Sequence, residues 1–315
     1  MVPRHVAYRR SVLRVINGSA VKTSDYLKPA NSLTYSDKKQ KSPGRHGWFS
    51  QAVLSIHNRK LSYEITSDGI VNAAAGYAYA VDLAVPVSFS AFSCMKQYGY
   101  KTVFIRAYDP TGAGRFDTNS VNNIRSANQA GLGTEVYMTP QPHSNKRGSE
   151  QFRELYEGLR SGKIQVRTVW VQVTSPVNWG ANSQANIYFL NELLSMAKYY
   201  GVTIGLYTNV YDWNQITKGA TVEGVMLWYW NVNGGGVNGE TPANFDDFRP
   251  FAKFTKPTVK QFGQVEYLCG VTVNRDVYLV NNAKHFLASA AENTNEELIV
   301  GTLGGDQMPG LVQSV

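Results

Sequence analysis

The sequence predicts an α/β fold, a TIM-like (β/α) barrel with reduced helices in its second half. Three observations carry this. From Tyr77 onward, short apolar runs alternate with stretches of helical length, the pattern of strands joined by crossover helices. Runs such as Thr102-Val-Phe-Ile-Arg-Ala-Tyr108 are apolar almost throughout, as strands covered on both faces must be. About eight such strands fall within roughly 200 residues, which favours a closed ring over an open doubly wound sheet.

The elements follow in order. Tyr77–Leu83 reads as a strand and Ser90–Tyr98 as a helix. Strand Thr102–Tyr108 precedes helix Asn119–Ala130, and strand Gly133–Thr139 precedes helix Ser149–Ser161. Strand Thr168–Thr174 leads to the long helix Asn182–Tyr200. After strand Val202–Thr208 comes a short helix near Trp213–Ile216, then strand Val225–Trp230. Beyond that point helices fade, and Thr258–Phe262 and Val271–Tyr278 read as two closing strands. A last helix is expected at His285–Glu297.

Three regions are expected: a basic leader over 1–76, the barrel over 77–280 and a C-terminal tail over 281–315. The charge supports the first boundary. Residues 1–75 hold 12 Lys/Arg against 4 Asp/Glu, and the remaining 240 hold 19 of each. The net charge of +8 therefore belongs to the leader, which reads as disordered or as standing in place of a signal peptide. A nucleic-acid partner is not expected, because the body carries no excess of positive charge. No run of about 18 apolar residues exists, so no membrane span is read. Cys94 and Cys269 are too few for a disulfide-built scaffold, and their spacing alone leaves one bridge and two free thiols equally open.

Barrel enzymes place their chemistry at the C-terminal strand ends. Those ends offer Asp82; Arg106, Tyr108 and Asp109; Tyr137 and Thr139; Gln172 and Thr174; Tyr207 and Asn209; Trp228, Tyr229, Trp230 and Asn231; Gln261; and Asn274 and Asp276. Aromatic faces for stacking, with amides and acids for hydroxyls, suit a carbohydrate cleft. Tyr108, Tyr137, Tyr207, Trp228, Trp230 and Gln261 are the candidate substrate-binding residues, although Trp228-Tyr229-Trp230 reads equally well as barrel core.

Tyr79-Ala-Val-Asp82, Gly205-Leu-Tyr-Thr208, Leu227-Trp-Tyr229, Asn244-Phe-Asp-Asp-Phe248, Lys260-Gln-Phe262 and Cys269-Gly-Val271 together resemble the glycoside hydrolase family 25 lysozymes, in particular their nematode branch. The resemblance spans roughly residues 77–278. It implies a barrel with some helices missing, a secreted or lysosome-like location, and a role in defence or digestion. It implies cleavage of the β-1,4 bond between N-acetylmuramic acid and N-acetylglucosamine in peptidoglycan, by a monomer with no metal and no cofactor. The family's acids are an Asp ending the first strand, an Asp-x-Glu pair ending the fourth and an Asp in the last. Here the first is Asp82, the pair is Gln172 and Thr174, and the last is Asn274, with Asp276 two residues on.

Neither Gln nor Thr supplies a useful proton or a negative charge at neutral pH, and glycoside cleavage needs both an acid and a carboxylate. Loss of a general acid alone costs ~10²–10⁴-fold in rate. Hydrolysis is thus expected to be weakened or lost, with an inactive glycan-binding protein as the alternative and a pure scaffold as a third reading. A surviving enzyme would need a relocated acid, for which Asp109 and Asp276 are the first candidates, with Glu135 and Asp212 behind them. First and last strands of a ring are neighbours, so the barrel favours one Cys94–Cys269 bridge.

Overall fold

The computed structural model describes residues 76–279, 297–303 and 308–314, and the backbone of short strands between residues 15 and 62. The chain divides into two units, Met1–Val71 and Asn72–Val315. In the first, Val15–Ile16 pairs antiparallel with Ser19–Ala20, and Asp37–Gln40, Phe49–Ile56 and Arg59–Ser62 form a three-stranded antiparallel sheet. The helix expected at His285–Glu297 lies outside the described residues apart from Glu297.

The second unit is built on eight strands: β1 Tyr77–Leu83, β2 Thr102–Asp109, β3 Gly133–Met138, β4 Thr168–Gln172, β5 Thr203–Thr208, β6 Met226–Trp230, β7 Val259–Leu268 and β8 Val271–Leu279. They hydrogen-bond in chain order, and β8 returns to β1 while β1 also pairs with β2, so the sheet closes on itself. Helices α1 Phe89–Gln97, α2 Asn119–Gln129, α3 Gly148–Ser161, α4 Ser183–Tyr199 and α5 Val210–Thr217 follow the first five strands. Several start where a polar residue can satisfy the free N–H groups of the first turn. The Ser88 hydroxyl accepts from Ala91 N at 3.2 Å, and the Asn182 and Asn209 side chains do the same for α4 and α5. Among the described residues no α-helix follows β6 or β7, only a 3-10 turn at Val237–Gly239, which is the expected thinning.

The strands from β1 to β7 are mutually parallel, but β8 is antiparallel to both of its neighbours. The parallel sheet expected from the alternating pattern therefore fails at its last member. The reason is local. Only Cys269 and Gly270 separate β7 from β8, and both have positive φ (53° and 84°). That is a two-residue hairpin turn, whereas a parallel return needs a dozen residues or more.

Two cores result, because alternate strand residues point to opposite faces. Inside the ring lie Ala78, Ala80, Phe104, Tyr137, Trp170, Tyr207, Trp228, Val259 and Tyr278. Outside it, between sheet and helices, lies the larger cluster containing Val81, Ile105, Phe152, Leu190 and Trp213. The inner layer needs Gly205, since a Cβ there would sit 2.0 Å from Trp170 Cε3. Cys94 on α1 and Cys269 at the hairpin tip are joined in a disulfide across 175 residues.

Within the region expected as a tail, Leu298–Val300 pairs in parallel with Ile164–Val166, and Leu303 joins the inner core from the N-terminal end of the ring. Glu135, fully buried on β3, anchors this segment. Its carboxylate accepts from Thr302 N (2.7 Å), Leu303 N (2.9 Å) and Trp170 Nε1 (2.9 Å). Gly301 adopts φ 79° there, and a Cβ would fall 2.5 Å from Thr168 N. Residues near 300 thus form the floor of the barrel.

Candidate functional site

The opposite end is the mouth. Asp82 ends β1 pointing into it, and the antiparallel register sets Asn274 beside Asp82 and Asp276 beside Ala80, one layer deeper. Asn274 Nδ2 donates to Asp82 Oδ1 at 3.0 Å, while its Oδ1 accepts from Val265 N at 3.0 Å. Asp276 is wholly buried and accepts from Trp228 Nε1 at 2.9 Å. The Asp82 and Asp276 carboxyls lie within each other's field, and Oδ2 of each is buried with no hydrogen-bond partner among the described residues. Two like charges held together out of water do not both form readily.

Burial lifts Asp82 from its ordinary 3.8 to about 7, against the hydrogen bond from Asn274. Burial and then the Asp82 charge push Asp276 well above the carboxylate range. The pair therefore retains a proton at neutral pH. Asp276, offered by the sequence as a replacement acid, sits in the layer beneath Asp82. Because β8 runs downward, residue 276 lies below 274 rather than above it, sealed from any ligand at the mouth.

Asp109, the other replacement acid offered by the sequence, is buried and ion-paired. Burial alone would raise its carboxyl, but hydrogen bonds from Thr111 and the charges of Arg106 and Arg115 outweigh it and hold the group below the usual range. It receives Thr111 Oγ1 at 2.7 Å and pairs with Arg115 at 3.1 Å. An acid held ionised this way pins a loop and has no proton to give. Arg106 meets buried Asp117 at 2.9 Å, a partner that sequence reasoning missed because it lies beyond the strand end.

Gln172 ends β4, and Thr174 follows two residues on. Thr139 Oγ1 donates to Gln172 Oε1 at 2.6 Å, and Gln172 Nε2 donates to Thr174 Oγ1 at 3.0 Å. Both residues line a cavity of about 280 Å³ whose walls include Pro110, Gln141, His143 and Trp179. Trp179 Nε1 donates to Thr174 O at 3.1 Å and fixes the loop. Asp82 and Asp276 are not among the lining residues.

The aromatic candidates divide. Trp228 is fully buried, with Tyr207 stacked on it at 4.2 Å and Phe104, Tyr137 and Trp170 around it, so it fills the ring and offers no face to a sugar. Tyr207 and Tyr137 cap that layer, 6% and 5% exposed. Burial, then the Asp82 charge, pushes both hydroxyls well above 10. Tyr207 donates to Gln261, which is 2% exposed. Tyr108 faces away from the mouth altogether. The β2–β3 register slips between Arg106 and Tyr108, and such a bulge turns the next side chain to the other face. Its hydroxyl donates to Glu154 on α3 at 3.0 Å. Trp230 is half-buried and donates to Asp212 Oδ2 at 3.0 Å. Asp212 also accepts from Ser175 N, and burial keeps its carboxyl above its ordinary value in spite of those two bonds.

The mouth thus joins a buried acid pair, a neutral amide–hydroxyl relay where β4 ends, and an Asp212–Trp230 contact tying α5 to β6. Among the described residues no group of three or more His, Cys, Asp or Glu could hold a metal.

Known proteins share this architecture. The lysozyme-like protein 1 family matches residues 73–262. Lysozyme-like protein 1 of Caenorhabditis elegans is 52% identical over 263 residues, 80% of this chain and 88% of that one. Probable GH family 25 lysozyme 2 of Dictyostelium discoideum is 30% identical over 200 residues, 63% of this chain and 89% of its own. In fold, a muramidase from Trichobolus zukalii superposes with a TM-score of 0.51 at 16% identity, covering 69% of this chain and 100% of that one. The chain belongs to the lysozyme-like proteins of glycoside hydrolase family 25.

Proposed function

We propose that this protein binds the glycan strands of bacterial peptidoglycan at the barrel mouth and hydrolyses them weakly or not at all. The observation that carries the reading is the Thr139–Gln172–Thr174 relay, in which the side chains at the family's acid-pair positions satisfy one another and neither ionises. Glycoside cleavage needs a proton donor at the leaving oxygen and a carboxylate near the oxocarbenium-like centre. The amide and hydroxyl groups left in the cavity still bond to sugar.

A weak hydrolase is the second reading, and one observation favours it. Asp82 is held near 7, so it still carries a proton under conditions where an ordinary Asp carries none. A secreted, monomeric protein acting in defence or digestion fits either reading. The Cys94–Cys269 bridge suits an oxidising compartment, and among the described residues no helix is long and apolar enough to cross a membrane.

The test uses the full chain on insoluble bacterial cell walls, with turbidity loss and sedimentation measured in parallel. Co-sedimentation without clearing is expected. Gln172→Asp with Thr174→Glu should then restore clearing. Clearing by the wild type at the rate of an intact family member would overturn the reading, as would absence of co-sedimentation.

A further inference from the structure

We propose that Glu240, Glu266 and Arg275 form a proton-operated clasp, closed in acid and released as the medium turns neutral, that holds the glycine-rich loop 233–239 against the β7–β8 hairpin at the rim of the mouth. The clasp is independent of what the mouth binds.

The three side chains come from three segments. Glu240 follows the loop that leaves β6 at the mouth, Glu266 lies on β7 and Arg275 on β8. Arg275 Nη1 donates to Glu240 Oε1 and lies 3.6 Å from Glu266 Oε2. The rings of Phe262, Tyr100 and Tyr79 surround the guanidinium, their centroids 4.9, 5.9 and 6.0 Å from Cζ. Gly263 completes the cage. A Cβ there would sit 2.3 Å from Glu266 Oε1 and 3.3 Å from Glu240 Cγ.

One fixed cation thus faces two carboxyl groups. Glu266 is 5% exposed, and neither its Oε1 nor Arg275 Nε has a hydrogen-bond partner among the described residues. A second carboxylate here would leave a charged oxygen dry and unmatched, whereas the neutral acid costs less. Burial lifts Glu266 from its ordinary 4.5 to about 7, Glu240 adds to the rise, and Arg275 opposes it. Tyr79 and Tyr100 are the other titratable groups facing the cluster; phenols ionise far above this range, and burial raises Tyr100 further.

The loop is the member that can yield. Four of its seven residues are glycine, and its backbone ties to the hairpin are Gly236 N to Gln264 O (2.7 Å) and, just beyond, Thr241 N to Phe262 O (2.9 Å). The hairpin is paired along both strands and bridged to α1 at its tip. In the closed clasp Glu266 binds a proton up to about pH 7, and once freed it returns toward 4.5. Closure is therefore tightest below the lower value and is lost as pH rises through the upper one, with opening growing up to about tenfold per pH unit between them. The change reaches the acid at the mouth through one residue. Val265, next to Glu266, gives its N–H to Asn274 Oδ1, and Asn274 Nδ2 holds Asp82.

The experiment is hydrogen exchange by mass spectrometry on the full chain, following the peptide 233–241 at about pH 5 and about pH 8 in the wild type, Glu266→Gln and Glu240→Gln. Rates are corrected for the intrinsic pH dependence of amide exchange and referred to β5. Protection of 233–241 in the wild type should fall about tenfold or more between the two conditions. Glu266→Gln never ionises and should hold its protection level to within about threefold. Glu240→Gln leaves Arg275 a single carboxylate partner and should shrink the fall to the same range. Level protection in the wild type, or protection that rises with pH, overturns the clasp. So does a fall of wild-type size in Glu266→Gln or, should that variant not fold, in Glu240→Gln.

Discussion

Asp82→Asn isolates the acid pair. In the folded protein burial holds Asp82 near 7, against 3.8 in the open chain. A carboxyl whose folded value is raised contributes its full stability below the unfolded value and loses it as pH rises through the folded one. The window is therefore pH 4 to 7. The shift of about three units amounts to about 4 kcal/mol across that window, at 1.36 kcal/mol per unit. Asparagine matches the neutral acid in size, can accept from Asn274 Nδ2 and can donate to Asp276, yet never ionises. Wild type and variant should unfold at similar urea concentrations near pH 4. By pH 8 the variant should be the more stable by up to about 4 kcal/mol, read from tryptophan fluorescence in urea titrations at both values. Parallel stability curves for the two proteins would refute the burial-raised Asp82 carboxyl. A variant that loses ground as pH rises would refute its sign.

Three further outcomes follow from packing. Glu135→Ala strands three buried N–H donors and should cost about 3–5 kcal/mol, with hydrogen exchange at 298–303 accelerated; unchanged protection there would contradict the floor anchor. Gly205→Ala drives a methyl into Trp170 and should cost about 1–3 kcal/mol or more, seen as a lowered Tm, and an unshifted Tm would show that the inner layer has slack. Replacing Cys94 and Cys269 by Ser opens a loop spanning 175 residues, worth about 5 kcal/mol on the chain-entropy account; an unchanged urea midpoint would show that the bridge constrains little.

The ring was readable because its strands are short, doubly buried and separated by helices, so periodicity and length agree at every step from Tyr77 to Trp230. Strand direction was not readable at the end, where apolar patterning is the same whichever way β8 runs. The two-residue Cys269–Gly270 turn carried that signal, and it reorders Asn274 and Asp276 in depth. Facing was lost at Tyr108, since one slipped residue after Arg106 inverts the alternation. Trp228 was ambiguous because an aromatic at a strand end can serve a ligand or a core, and only the surrounding Phe104, Trp170 and Tyr207 decide. Glu135 as a floor anchor was invisible, because its partners Thr302 and Leu303 lie some 167 residues away.

The floor has a consequence for how the chain acquires its shape during synthesis. When β8 leaves the ribosome, all eight staves are present but the base of the ring is still open. Glu135 then has Trp170 as its one partner, and water can reach the lower layer. Only after residues 298–303 emerge do two backbone amides and the Leu303 side chain stopper that end. Completion of the barrel is therefore a late event, and a chain cut just after the last strand would carry an intact mouth above an unplugged base.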